Sequence, residues 1–414
     1  MNTGGKAHND ILFINFNQDF SCISVGTRHG HKIYNCDPFG KVYGKSDGGI
    51  GIIEMMFCTS LVALVGAGEQ PAFSPRRLQI TNTKRESTIC ELTYVSAIVA
   101  VKLNRKRLVV RLEEHIYIYD ISNMKLLHSI DTSPSPNPLC ALSPSSENCF
   151  MAYPTNTSGS TGELLIFDTI TLQAVNIIQA HKSPIGCIAF SFDGTMVATS
   201  SDKGTVIRVY SVPDGQKLFQ FRRGTYPARI YSITFNLPGT LLSVSSDTDT
   251  VHIFKLEKDG SGNGAGSGSG AEGEPLATAP TPKKSDRSLE RKSSGSDKKF
   301  SVYDSLRSPL ANATAVASAA VGSYLPDVIT EMWEPTRDFA FCKIPTHPGS
   351  SGSGSSQKGT PNLCAISSGI PHVMVVTAAG YFYQFSLDQE RGGECQLLKQ
   401  YSLLDPEESA GATR

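Results

Sequence analysis

The stretch from Cys187 to Thr205, Cys-Ile-Ala-Phe-Ser-Phe-Asp-Gly-Thr-Met-Val-Ala-Thr-Ser-Ser-Asp-Lys-Gly-Thr, returns 45 residues later as Ser-Ile-Thr-Phe-Asn-Leu-Pro-Gly-Thr-Leu-Leu-Ser-Val-Ser-Ser-Asp-Thr-Asp-Thr. Phe190 aligns with Phe235, Gly194 with Gly239, Ser201 with Ser246, Asp202 with Asp247 and Thr205 with Thr250. A period of 40–45 residues with strand–turn–strand content marks the blades of WD40-type propellers, in which each unit buries its apolar faces only by stacking on its neighbours. Weaker copies fit 11–45, 52–93, 96–130, 138–178, 184–222, 228–343 and 362–402, which makes seven blades.

Short β-like runs support this reading: 11–16, 22–26, 32–36, 52–57, 61–66, 108–111, 116–121 and 164–167. They are rich in Val, Ile, Tyr and Phe and are bounded by Gly, Asp, Asn or Ser, as short strands of an all-β fold are. The Trp-Asp dipeptide of such repeats is missing, because the single tryptophan is Trp333. The propeller therefore rests on period and strand number, with a β-sandwich as the alternative.

The repeat is interrupted after Lys255. Residues 257–300 are first Gly/Ser-rich, then rich in Lys, Arg and Ser, too polar to pack a core, and the membrane-interacting loop is read over 257–327. Strand-like sequence resumes at 339–343, so the insertion is a loop of blade 6 between its third and fourth strands. Residues 11–256 and 328–404 are then the propeller, with disordered ends at 1–10 and 405–414. Gly349–Gly354 reads as a short linker.

Lys+Arg and Asp+Glu both number 38, so net charge is zero. This argues against nucleic-acid binding, which shows a basic excess. Anion recognition must come from a few placed residues. The ten cysteines never stand in a C-x-x-C spacing, so they read as small buried hydrophobes of a reducing compartment and not as a disulfide or zinc framework. No apolar run of about 18 residues occurs, and the first ten residues are polar. A cytosolic protein with peripheral membrane contact is expected, the sequons at Asn156 and Asn312 being unused.

Phe221-Arg222-Arg223-Gly224 closes blade 5. Successive side chains of a strand point to opposite faces, so Arg222 and Arg223 are expected to diverge towards two flanking blades. Blade 5 offers His181, Ser201, Thr205 and Arg208 around one of them; blade 6 offers Ser246, Thr250 and His252 around the other. Guanidinium, imidazole and hydroxyl groups are donors that bind phosphate, and Arg binds it bidentately. Two anion pockets are predicted, without a carboxylate base, a cysteine nucleophile or a metal set. Arg229 is near in sequence but is left outside them.

On these residues the chain resembles the PROPPIN family, β-propellers that bind polyphosphoinositides in autophagy. The Phe-Arg-Arg-Gly motif at 221–224 is intact. Ser-x-x-Gly-Thr-x-x-Arg at 201–208, Ala-His at 180–181 and Thr-x-His at 250–252 match as well. The resemblance implies a first lipid site of His181, Ser201, Thr205, Arg208 and Arg222 and a second of Arg223, Ser246, Thr250 and His252. It implies phosphatidylinositol 3-phosphate and phosphatidylinositol 3,5-bisphosphate as ligands, no cofactor and no catalysis. Pro75-Arg76-Arg77, between strands of blade 2, falls where the family docks a large autophagy lipid-transfer protein. A solution monomer on preautophagosomal, vacuolar and endosomal membranes is the expected setting.

Inside the insertion, 283–299 carries seven Lys/Arg against Asp286, Glu290 and Asp297. Beyond it Tyr303, Leu306, Leu310, Ala313, Ala317, Val321 and Tyr324 recur at helical spacing, with Pro309 marking a break or late start. A basic stretch before an amphipathic helix suits a membrane interface, and the family resemblance implies insertion; a disordered loop is the alternative. Two other functions compete with the lipid reading. A generic propeller scaffold would use the same arginines on acidic peptides. A propeller hydrolase would need more than His29-Gly-His31, a pair lacking a third ligand.

Overall fold

The two copies of the strong repeat show how each unit folds back on itself. Gly194 and Gly239 both hold a left-handed backbone, with φ of 75° and 71°, a conformation glycine adopts without steric cost. Asp193 accepts from the Ser191 hydroxyl at 2.6 Å and the Thr195 hydroxyl at 2.7 Å. In the second copy Asn236 stands where Ser191 does and accepts from the amides of Thr240 and Leu241, as the Ser191 hydroxyl accepts from the Met196 amide. A Cβ on Gly194 would lie 2.6 Å from the Asn148 carbonyl of the preceding blade. These turns set the register of the first two strands of blades 5 and 6.

The computed structural model describes residues 10–134, 138–155, 162–257, 336–345 and 359–404, which belong to one unit made of Met1–Glu257 with Glu334–Arg414. They form seven sheets, six of four antiparallel strands and one, in blade 6, of five. The blades run from 11–45, 50–93, 100–131, 141–181, 185–222, 230–343 and 362–402. This is a seven-bladed propeller, and the sandwich alternative falls. In blade 6 the third strand, Thr250–Lys255, pairs with a fourth, Ala340–Lys343, so the interruption sits where the repeat placed it. Gly393–Glu394 adds a short parallel strand to that edge. The predicted membrane helix with Tyr303, Leu306, Leu310, Val321 and Tyr324, the basic stretch, both termini and both sequons lie outside the described residues.

The second strand of most blades is buried along its length, as in Cys22–Thr27 and Leu241–Ser246, whereas fourth strands such as Ser87–Thr93 are largely exposed. Buried strands carry apolar side chains on both faces because each face meets another blade. Leu64, Leu78 and Ile80 of blade 2 join Val101 and Leu103 of blade 3. Val109 and Ile118 of blade 3 join Met151 and Leu165 of blade 4. Each fully buried Ile, Leu or Phe contributes about 1.5–3 kcal/mol. Polar groups cross the inner strands as well: Glu54 accepts from Lys102 at 2.5 Å and from Asn15 at 2.9 Å, at matching registers of blades 2, 3 and 1.

Blades 7 and 1 share no strand, so side chains close the ring. Ile14, Ile23 and Val25 pack with Leu363, Met374 and Phe382. Phe39 stacks on Tyr401 with ring centroids 4.3 Å apart. The Tyr34 hydroxyl donates to the Leu403 carbonyl at 2.8 Å, and the Gln384 amide donates to the Cys36 carbonyl at 3.1 Å.

All ten cysteines are free thiols. Six are buried as expected, but Cys58 is exposed, where its thiol meets the Ser21 hydroxyl at 2.8 Å. His29 and His31 do not form a metal pair: His29 is exposed, while His31 is buried and burial lowers its pKa to about 4. Among the described residues no metal-binding cluster is found.

Removing the hydroxyl that ties the closing seam, Tyr34→Phe, is expected to cost about 1–2 kcal/mol by leaving the Leu403 carbonyl buried without that donor. A urea titration checks this, and an unchanged midpoint would show that the seam does not depend on the bond.

Candidate anion sites at the seams around blade 5

The fourth strand of blade 5, Lys217–Arg222, ends beside the chain returning from the insertion. The Arg222 amide donates to the Thr336 carbonyl at 2.9 Å, and the Thr336 amide to the Gln220 carbonyl at 3.2 Å. That short bridge pins the backbone of the motif. Arg222 then projects outward and is exposed, with no side-chain hydrogen bond or ion pair among the described residues, whereas Arg223 turns inward and is buried. The divergence predicted from strand alternation is present.

Arg223 is held by backbone carbonyls: Nε donates to Gly204 at 3.0 Å and Nη2 to Tyr226 at 2.5 Å. Burial lowers its pKa, partly offset by the Asp247 carboxylate, and it stays a cation. Gly204 has φ of 59°, and a Cβ there would lie 2.0 Å from the Ala228 carbonyl. The Ser201-x-x-Gly-Thr turn is thus the frame on which Arg223 is fixed.

On the blade 4 side of the strand lies the first group. Arg208 donates through Nη1 to the His181 ring at Nδ1, 3.0 Å away, and to the Ala180 carbonyl at 2.8 Å. Its Nε donates to Gln220 at 2.8 Å. Because a guanidinium can only donate, Nδ1 of His181 accepts, and the ring proton sits on Nε2, which donates to the Thr199 hydroxyl at 3.0 Å. Burial, and then the Arg208 charge, lower the His181 pKa to about 4, so the imidazole is neutral at pH 7. The hydroxyls of Ser201 and Thr205 make no hydrogen bond among the described residues, and both lie by the turn that precedes Arg208. The structure joins His181 to Arg208 directly and places Ser201, Thr205 and Arg222 at the same end of blade 5. Thr199, Gln220 and the Gly204 carbonyl were not legible from the repeat.

The second group is arranged differently from the prediction. Ser246 is fully buried and its hydroxyl bonds that of Thr248 at 2.8 Å. His252 bonds the Asp338 carboxylate at 2.9 Å, and that bond is the main cause lowering the Asp338 pKa. No hydrogen bond joins Arg223, Ser246, Thr250 and His252 to one another. A carboxylate therefore stands beside this group, which the sequence reading did not include. It lies 86 residues from His252, beyond the insertion. Arg229 stays apart, its guanidinium 5.9 Å from the Tyr231 ring centroid.

The pairing of the repeats also shifts. Second strands match at an offset of 45, Met196–Ser201 with Leu241–Ser246, but third strands match at 44, Val206–Ser211 with Thr250–Lys255. Thr250 accordingly stands opposite Val206 and not Thr205, and His252 takes the place of Arg208. His181 ends the fourth strand of blade 4, paired with Gly162, and Arg223 directly follows the fourth strand of blade 5. One seam has imidazole before guanidinium; the next has guanidinium before imidazole.

This geometry can be set beside known proteins. The PROPPIN family model matches residues 11–273, well over half of the chain. The chain belongs to the PROPPIN family. It is 52% identical to Autophagy-related protein 18 of Yarrowia lipolytica, covering 95% of this chain and 97% of that one. It is 49% identical to Autophagy-related protein 18 of Mycosarcoma maydis, covering 97% and 94%. Among solved structures, KlAtg21 in complex with the coiled-coil of AgAtg16 aligns over 95% of this chain and 100% of that one, with a TM-score of 0.67 and 26% identity. Kluyveromyces lactis Hsv2 with its complete loop 6CD aligns over 96% and 100%, with a TM-score of 0.66 and 20% identity, which supports the PROPPIN fold alone.

Since the folded-state pKa of His181 is lowered, the unfolded chain binds the extra proton. The ring's contribution to stability is complete above the ordinary histidine pKa near 6.5 and is lost as pH falls from there towards 4. Thermal denaturation from pH 7.5 to 4.5 is expected to show falling stability, with a shallower slope in His181→Gln. His31 contributes in the same direction, so some slope should remain. Parallel curves for wild type and His181→Gln would contradict the assignment.

Proposed function

We propose that the protein is a peripheral phosphoinositide effector acting in autophagy and in vacuole or endosome membrane dynamics, binding without catalysis. The observation that carries this reading is Arg222: an exposed guanidinium with no partner among the described residues, on the pinned edge of a strand whose next residue is a buried, oriented cation. Phosphatidylinositol 3-phosphate and phosphatidylinositol 3,5-bisphosphate are the proposed ligands. His181, Ser201, Thr205, Arg208 and Arg222 would hold one headgroup. Arg223, Ser246, Thr250 and His252 would hold another, with Asp338 orienting the imidazole. The relatives named Autophagy-related protein 18 support the pathway. Among the described residues no helix is long and apolar enough to cross a membrane, which is compatible with peripheral attachment.

A single pocket of micromolar affinity supplies roughly 8 kcal/mol. Two pockets on one surface act through effective concentration, worth on the order of 100-fold or more. Membranes enriched in the lipid are then bound far better than free headgroups. Flotation with liposomes of each phosphoinositide tests the reading. Arg222→Thr with Arg223→Thr should abolish binding to the two named lipids, and retained binding would favour the protein-scaffold alternative. Deleting 300–325 should weaken liposome binding strongly and leave soluble headgroup binding intact. Equal liposome binding would remove the anchor role of that segment.

Pro75 and Arg76 are exposed, and Arg77 begins the third strand of blade 2 with its guanidinium 3.4 Å from Glu91. An autophagy lipid-transfer protein is the proposed partner of this turn. AgAtg16 is the partner seen with KlAtg21, and a coiled coil of that kind is a second proposed partner.

A further inference from the structure

Arg111 closes the second strand of blade 3, Arg107–Arg111, at the register that blades 5 and 6 fill with Ser200 and Ser245. In blade 6 the small side chain suffices, and the Ser245 hydroxyl reaches the Asn362 carbonyl of the next blade at 3.2 Å. Blade 3 instead buries a guanidinium there, only 3% exposed.

One edge of that guanidinium is accounted for: Nη1 donates to the Thr132 hydroxyl at 2.6 Å. The other edge is not. Among the described residues Nε is sealed from solvent without a hydrogen-bond partner, and Nη2 shares its edge. Among the described residues no carboxylate pairs with Arg111, and the ionisable groups that bear on it are the Cys140 thiol and the Tyr153 phenol. The connection to blade 4, residues 132–140, contains no Asp or Glu. Lys102 adds a second cation near Cys140, and its own partner is Glu54.

A buried charge without a counter-charge is strongly unfavourable. The Nε/Nη2 edge is also the one that presents two parallel N–H groups to a planar or tetrahedral oxyanion. We infer that Arg111 forms an anion site at the seam of blades 3 and 4, taking a phosphate-class oxyanion on Nε and Nη2, with the Thr132 hydroxyl steadying the guanidinium. This site is separate from the seams around blade 5 and does not depend on the lipid reading. The oxyanion is either free phosphate or the phosphate of a headgroup.

The test uses the full chain with 15N-labelled arginine, titrated with inorganic phosphate and, separately, with phosphatidylinositol 3-phosphate vesicles. The Arg111 Nε–H resonance is assigned by its loss in Arg111→Lys, which keeps the charge. The inference expects this resonance to shift saturably, and expects a phosphate-dependent rise in thermal midpoint that Arg111→Met abolishes. A shift with inorganic phosphate identifies the free ion. A shift with the vesicles alone identifies the headgroup. A resonance that neither ligand moves overturns the site, as does an equal midpoint rise in wild type and Arg111→Met.

Discussion

A four-stranded sheet with apolar side chains on both faces is insoluble by itself, and stacking against two neighbours is what makes each blade here a stable object. The seams between blades are therefore the structural fact on which everything else depends. Ile23 against Met374 at the closing seam and Val209 against Phe254 between blades 5 and 6 are the same solution repeated. Polar groups at a seam must find partners across it, or hold an external one, because the seam excludes water. His181 with Arg208, Arg223 with its two carbonyls, and Glu54 with Lys102 are internal answers to that demand. Arg222, at the rim of a seam, has no such answer among the described residues.

The two groups around blade 5 share one scaffold and differ in chemistry. In the first, no acid pairs with Arg208 among the described residues and Arg208 keeps His181 as an acceptor, so the group holds a permanent cation beside the Ser201 and Thr205 hydroxyls. In the second, the buried cation is Arg223 and the imidazole belongs to His252, backed by Asp338. Swapping guanidinium and imidazole between equivalent positions leaves two basic seams that are not copies of each other.

Much of the fold was legible in the chain. The 45-residue period identified the blades, and Gly194 and Gly239 matched because both turns need a left-handed residue. The divergence of Arg222 and Arg223 followed from strand geometry alone. What escaped has specific physical causes. The turn from Ser246 to Thr250 is one residue shorter than that from Ser201 to Val206, so identical threonines aligned in sequence but not in space. Asp338 reaches His252 across the insertion, a contact no local pattern encodes. The partners of Arg223 are backbone carbonyls, which every residue has and no residue name reveals. The positions of these residues were thus legible, while the bonds among them were not.

The central claim is that an anion sits between the exposed Arg222 and the Arg208–His181 pair. A crystal structure of the full chain with inositol 1,3-bisphosphate tests it most directly. The account predicts headgroup density within hydrogen-bonding distance of Arg222, Arg208 and the Ser201 and Thr205 hydroxyls. Density elsewhere, with Arg222 still free in solvent, would contradict it.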